Sequence, residues 1–319
     1  MTGRDLDVPR EVTQKAQAQG AAGTRWLARL PEVIGELETD WQVVVGATFR
    51  GGSDSYVAEA MTNTGEPAVI KIALPSQGES HEIETLVLAS GRGYVRLLRH
   101  DADRQAMLQE RLGESLDQLN LPVQSQIESI CETLLTAWTV SPDPGFLSEA
   151  EKAHALAEFT SATWEALNRP CSHRVIELAL AYARSRAAAF DPSQAVLVHG
   201  DAHASNTLQV RAQDASGGER FRFVDPDGLF AERACDLAVP MRGWSQELLA
   251  GNTSRLGRRR CALLSDLTGV EAQPIWEWGF MERVSTGLLA LHVGRTELGE
   301  EMLAVAERFA TASPSIQGA

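Results

Sequence analysis

The strongest constraint on this chain lies between Val196 and Asp227. Two apolar runs, Val-Leu-Val and Phe-Arg-Phe-Val, each end abruptly at acid: the first reaches Asp201 after His-Gly, and the second stops at Asp225. Asn206 follows the first aspartate by five positions. Short apolar runs bounded by polar turns read as buried strands. If the two are neighbours, their mouths bring two carboxylates and a carboxamide together. Hard cations select such oxygen donors, so the stretch suits a magnesium ion and a phosphoryl group.

Other chemistries compete for these residues. His199, Asp201 and His203 form a His-x-Asp-x-His pattern that could grip zinc or iron in a metal-dependent hydrolase. It lacks a second cluster, because His81, His100, His154, His173 and His292 stand singly. The polar residues could also do no more than cap a strand and a turn. Under phosphoryl transfer, Asp201 holds an acceptor hydroxyl and takes its proton late, while Asn206 and Asp225 hold magnesium. No Gly-x-x-x-x-Gly-Lys-Ser/Thr stretch exists, so the chain is not a P-loop enzyme.

The chain upstream shows what could present a nucleotide to this site. Val8 to Thr39 has helical periodicity, with Pro31 expected to separate two helices. From Trp41 the period changes to two. Strands are expected at Trp41–Val45, Tyr56–Met61 and Ala68–Ala73, and again at Tyr94–Leu98 and Ala106–Gly113. The hairpin between the first two carries Gly51, Gly52 and Ser53, which could lay backbone N–H groups over phosphates. Lys71 interrupts an apolar strand, where a charge is costly unless paired. The helix expected over Gly78–Ser90 offers Glu82, with Glu79 close behind, as its partner.

From Ser115 to Phe190 the pattern is helical, and two further helices are expected near Met281–Gly294 and Glu297–Ala312. Asp236 is expected to brace the loop after the second run by accepting backbone N–H bonds. The formal charge of -14 argues against nucleic acid or an anionic membrane as partner and suits a cationic small molecule. Glu232, Glu277 and Glu282 are candidates for binding one, by charge and location. Four scattered cysteines, with no Cys-x-x-Cys pair, argue against a disulfide frame or a thiolate zinc site. No leader and no membrane-length apolar run is evident, so a cytoplasmic protein, monomeric or weakly dimeric, is expected.

The segments His199-Gly-Asp-Ala-His-Ala-Ser-Asn206 and Val224-Asp-Pro-Asp-Gly, followed by Cys235-Asp-Leu-Ala, resemble the catalytic and metal-binding motifs of the aminoglycoside phosphotransferase family. Gly91-Arg-Gly-Tyr-Val-Arg-Leu-Leu, Met107-Leu-Gln-Glu-Arg-Leu and the Trp26-Leu-x-x-Leu-Pro31 segment are similar to its streptomycin 6-kinase and hydroxyurea kinase branch, so the likeness covers nearly the whole chain. The resemblance implies an α+β, protein-kinase-like fold of two lobes. Residues 1–112 would form a nucleotide-binding N-lobe, a small antiparallel sheet with one inserted helix and a helical extension. Residues 113–319 would form a larger, mainly helical C-lobe.

It also implies an enzyme that moves the γ-phosphoryl group of ATP, with GTP left open, to a hydroxyl of a streptomycin-like antibiotic, with Mg2+ as cofactor. Hydroxyurea or another small antibiotic or metabolite is the alternative acceptor, and a catalytically silent nucleotide-binding relative is the alternative of another class. By the same resemblance Asp201 is catalytic, Asn206 and Asp225 hold the metal, Lys71 contacts phosphates, and the backbone of Gln109–Leu112, including Glu110 and Leu112, contacts adenine.

Overall fold

A computed structural model describes residues 6–50, 52, 54–75, 81–143, 145–211 and 218–312. Two helices come first, α1 (Arg10–Ala18) and α2 (Ala21–Trp41). The break between them falls at Gly20, with φ of 67°, and not at Pro31, which lies inside α2. A helical proline costs about 3 kcal/mol. Leu30, Ile34 and Leu37, all buried against the sheet that follows, offset it at about 2 kcal/mol each.

That sheet contains β1 (Val43–Thr48), β2 (Ser55–Thr62), β3 (Pro67–Ala73), β4 (Leu97–Asp101) and β5 (Ala106–Glu110), with α3 (Glu82–Ala89) inserted after β3. Its order is β1-β2-β3-β5-β4, and every pairing is antiparallel. Side chains alternate across a strand. Ile70 and Ile72 of β3 pack into the cluster that includes α2, so Lys71 faces the other way. The strand expected at Tyr94–Leu98 begins instead at Leu97. Val95 donates its N–H to the Phe223 carbonyl (2.8 Å) and Gly93 accepts from the Phe223 N–H (2.9 Å), which ties this segment to the second half of the chain.

The remainder is mainly helical: α4 (Val123–Ala137), α5 (Glu149–Ala166), α6 (His173–Ala189), α7 (Arg233–Arg242), α8 (Ser245–Leu249), α9 (Thr253–Thr268), α10 (Ala272–His292) and α11 (Thr296–Ala312). Helix α10 is the axle, packing on α5, α6, α7, α9 and α11 through a buried surface that includes Trp278, Phe280 and Val284. It starts nine residues before the expected Met281, because Ile275 and Trp278 already belong to the core.

The two acid-ending runs are strands, but they do not pair with each other. β6 (Val196–Val198) pairs with β9 (Leu229–Ala231), and β7 (Thr207–Gln209) pairs with β8 (Phe221–Phe223). The chain turns back after Asn206 to make β7, which takes β8 as its partner and leaves β6 to the strand beyond Gly228. Among the described residues no helix is long and apolar enough to cross a membrane, and the four cysteines are free and buried.

Candidate active site

Between the sheet and the helices runs a cleft of about 2170 Å3, lined by Lys71, Glu82, Gln109 to Ser115, Asp201, His203, Asn206 and Asp225 to Leu229. A single small ligand occupies roughly 300–1,000 Å3, so this cleft has room for two.

Lys71 lies at one end. Its Nζ donates to both oxygens of Glu82 at 2.6 Å and to Asp225 Oδ1 at 2.9 Å. Burial opposes its charge, but the two carboxylates outweigh that and hold it above the ordinary lysine range, so it is a permanent cation. Of the other proposed nucleotide contacts, Gly52 lines the cleft, while Gly51, Ser53 and Glu79 lie outside the described residues. The Glu110 side chain is committed elsewhere: it accepts from Arg222 Nη1 (2.5 Å), Arg96 N (2.8 Å) and Arg96 Nε (2.8 Å). Its backbone N–H is taken as well, donating to the Arg96 carbonyl at 2.9 Å. The Leu112 N–H has no hydrogen-bond partner among the described residues.

The catalytic loop is held by a buried scaffold. Asp236, in the first turn of α7, accepts from the His199 N–H (3.0 Å), the Gly200 N–H (2.8 Å) and Trp138 Nε1 (2.8 Å), so it braces backbone as expected from sequence, but in the loop after the first run and not the second. His199 is buried with both ring nitrogens used. Nδ1 accepts from the Asp201 N–H (3.1 Å), so Nε2 carries the proton and donates to the Val224 carbonyl (2.9 Å). A histidine so engaged cannot ligate a metal, which removes the zinc or iron site. The same contact joins the loop of Asp201 to the segment of Asp225, although their strands are unpaired. Two glycines make the close approach possible. Gly200, at φ of 88°, would place a Cβ 2.7 Å from Asp227 Oδ2, and Gly228, at φ of 72°, would place one 2.1 Å from Thr85 Oγ1.

Asp201 itself borders the cleft. Oδ1 accepts from Arg242 Nη2 at 2.7 Å, and Oδ2 lies 3.3 Å from His203 Nε2. Burial raises its pKa, but the His203 hydrogen bond and the Arg242 charge outweigh burial and hold the carboxyl well below the usual range. Asn206 donates from Nδ2 to the Asp201 carbonyl (3.1 Å), which leaves its amide oxygen for a cation. Asp225 is about half exposed, with φ of 57°. An amide oxygen and a carboxylate make a hard-oxygen set that fits magnesium whose remaining ligands are phosphate and water.

The proposed acceptor carboxylates are not on the cleft wall. Glu277 and Glu232 clamp Arg186: Glu277 Oε2 lies 2.7 Å from its Nε, and Glu232 Oε1 accepts from its Nη1 at 3.1 Å and from Trp278 Nε1 at 2.7 Å. Glu282 is buried between Lys152 (2.9 Å) and Arg242 (2.8 Å). Glu277 and Glu282, on the buried face of α10, have to be neutralised by their neighbours and are, and Glu232, partly exposed just before α7, is paired as well. The acids that do line the cleft are Asp54, Glu82, Glu110, Glu114, Asp117, Glu151 and Asp227, together with Asp201 and Asp225. Lys152 and Arg242 went unread in the sequence. For Arg242, a charge closing the apolar run Leu-Ala-Val-Pro-Met at the end of α7 was the available signal.

Known proteins share this chain and fold. The streptomycin 6-kinase of Streptomyces glaucescens is 26% identical over 310 residues, covering 96% of this chain and 98% of that protein. The hydroxyurea phosphotransferase of Kitasatospora aureofaciens is 24% identical over 319 residues, covering 96% and 86%. Among solved structures, a spectinomycin phosphotransferase in complex with ADP and spectinomycin superposes with a TM-score of 0.56 at 13% identity, covering 88% of this chain and 93% of that one. The choline kinase of Streptococcus pneumoniae gives 0.58 at 14%, covering 89% and 100%. The fold is therefore that of the protein-kinase-like phosphotransferases, and the chain is a phosphotransferase. Residues 40–294 match the family model for aminoglycoside/hydroxyurea antibiotic resistance kinases, and the chain belongs to that family.

Proposed function

We propose that this enzyme transfers the γ-phosphoryl group of ATP to a hydroxyl of a streptomycin-like aminoglycoside, in a cytoplasm reducing enough to keep its four buried thiols free. One observation carries the reading: Lys71, bound to Glu82 and Asp225, opens onto the same cleft as Asp201 and Asn206. In this reading residues 1–112 grip the nucleotide and residues 113–319 hold the metal and the acceptor.

Lys71 neutralises charge on the phosphates, with Glu82 keeping its amine in place. Asn206 and Asp225 would hold magnesium, which supplies charge neutralisation as the bond to the leaving phosphate breaks. Asp201 accepts a hydrogen bond from the acceptor hydroxyl and orients its oxygen toward the γ-phosphorus. The acceptor O–P bond forms as the bond from the γ-phosphorus to the bridging oxygen breaks, and the hydroxyl proton passes to Asp201. The low pKa of Asp201 suits this order. A loose transition state needs an aligned oxygen more than a strong base. Cationic acceptors are favoured by the carboxylates at the cleft, Glu114, Asp117, Glu151 and Asp227. Hydroxyurea is the second reading, because its phosphotransferase matches nearly the whole chain.

Purified protein incubated with ATP or GTP, Mg2+ and, in turn, streptomycin, other aminoglycosides, hydroxyurea and simple amino sugars checks both readings by nucleotide consumption and product mass. Phosphorylated streptomycin is expected, and hydroxyurea turnover alone would select the second reading. Asp201→Asn should abolish turnover and leave nucleotide binding intact. Turnover that survives this change would sink the assignment.

A further inference from the structure

Arg242 is the last residue of α7 and does not line the cleft, yet it reaches the oxygen of the side chain on which the chemistry depends. Its two terminal nitrogens divide their work. Nη2 donates to Asp201 Oδ1 at 2.7 Å, and Nη1 donates to Glu282 Oε2 at 2.8 Å. The other oxygen of Glu282 lies 2.9 Å from Lys152 Nζ. The result is a chain of alternating charge, Asp201, Arg242, Glu282 and Lys152, assembled from the catalytic loop, α7, α10 and α5.

Burial deepens from Asp201 through Arg242 to Glu282, and the side chains of Glu282 and Lys152 are 6% and 13% exposed. Burial alone would discourage ionisation of Glu282, but Lys152 and Arg242 outweigh it and hold the carboxyl below the usual range. A guanidinium is a planar fork, so its grip fixes direction as well as charge. With Oδ1 held, the plane of the Asp201 carboxylate is set, and Oδ2 is the oxygen left beside His203 at the cleft.

We propose that Arg242 is a positioning residue for the transfer reaction: anchored by Glu282, it grips one oxygen of Asp201 so that the other meets the acceptor hydroxyl. The inference rests on the kinase reading above. Arg242 touches neither nucleotide nor acceptor and acts through Asp201. Glu282, a candidate acceptor contact by sequence, is in this account the anchor for Arg242.

The test compares wild type, Arg242→Ala, Arg242→Lys and Asp201→Asn with ATP, Mg2+ and the acceptor that supports turnover in the screen. Misaligning a reacting group by about 1 Å costs roughly 100-fold. Arg242→Ala should therefore lose roughly that factor in kcat, with KM for ATP and acceptor within about twofold of wild type. Added guanidinium ion should restore part of the lost kcat in Arg242→Ala and none in Asp201→Asn, and Arg242→Lys should fall between. If Arg242→Ala fails to fold, Glu282→Gln, which keeps the cation but loosens its anchor, should show a smaller kcat loss in the same direction.

A kcat within about twofold of wild type in whichever of these two variants folds would overturn the proposal. So would a loss that neither guanidinium nor lysine relieves, since that pattern marks general damage to the fold. Persistent turnover by Asp201→Asn, or no turnover with any acceptor, would instead overturn the kinase reading and the inference with it.

Discussion

Two charged clusters border the cleft and follow opposite rules. Around Lys71 there are two carboxylates to one cation, and one of them, Asp225, is about half exposed. Around Arg242 the signs alternate and balance, and Arg242, Glu282 and Lys152 are buried or nearly so. The first cluster is short of positive charge where a metal ion would add it, whereas the second is complete. The contrast separates a site that binds from a brace that holds. A cluster with excess negative charge recruits a cation, and a balanced one fixes geometry at little electrostatic cost.

The severest way to break the contrast is to remove the cation of the first cluster. Lys71→Met strands Glu82 in the core, so stability should fall by about 3 kcal/mol, and ATP turnover should drop by at least roughly 100-fold. Adding Glu82→Leu should recover stability but not turnover. Denaturant titration and steady-state kinetics on the single and double variants check both halves. Recovery of activity would show that Lys71 serves the fold alone.

A smaller effect is expected where the two clusters meet in the backbone. Gly228→Ala places a methyl against Thr85 in a left-handed conformation, which should cost about 1–3 kcal/mol and lower Tm by several degrees. Thr85→Ala in the same chain should return part of that loss, and an unchanged Tm in the single variant would contradict the close approach.

The smallest effect concerns a carboxylate that belongs to neither cluster. Glu149, buried at the start of α5, accepts the Glu232 N–H at 2.6 Å. Burial, together with the charge of Glu232, pushes it up to about 7. A folded acid with a raised pKa binds protons that the unfolded chain releases. Stability should therefore fall as pH rises from about 4.5 through about 7 and stay reduced above that. Glu149→Gln keeps the acceptor oxygen and removes the charge, so its Tm should exceed wild type above pH 7 and converge with it in acid. Parallel melting curves across that range decide the point.

What the sequence disclosed follows from range. That Lys71, Asp201 and Asp225 share a cleft is legible because each is a charge in or just after an apolar run, a local contradiction that asks for a partner, and Asn206 is legible by its spacing from Asp201. The sheet is legible because period-two alternation is local too. Hidden were the pairings that fold geometry alone decides. Glu110 meets Arg222 across 112 residues. Arg242 meets Asp201 across 41 and Glu282 across 40. Glu232 and Glu277 read as surface acids in the sequence, and only the position of Arg186 explains why both turn to it. Pro31 misled for a related reason: its local cost is real, and the apolar stripe that outweighs it appears only once the sheet is in place.

The tie between Phe223 and the Gly93–Val95 segment has a mechanical consequence. Together with the Glu110–Arg222 ion pair it fastens the β4–β5 edge of the sheet to the strand that leads into Asp225. Swinging that edge would tear two backbone hydrogen bonds and a buried ion pair at once. Any opening of the cleft therefore has to turn about that seam, with β1 at the opposite edge of the sheet, and the strand that leads into Asp225 moves as one piece with β4 and β5.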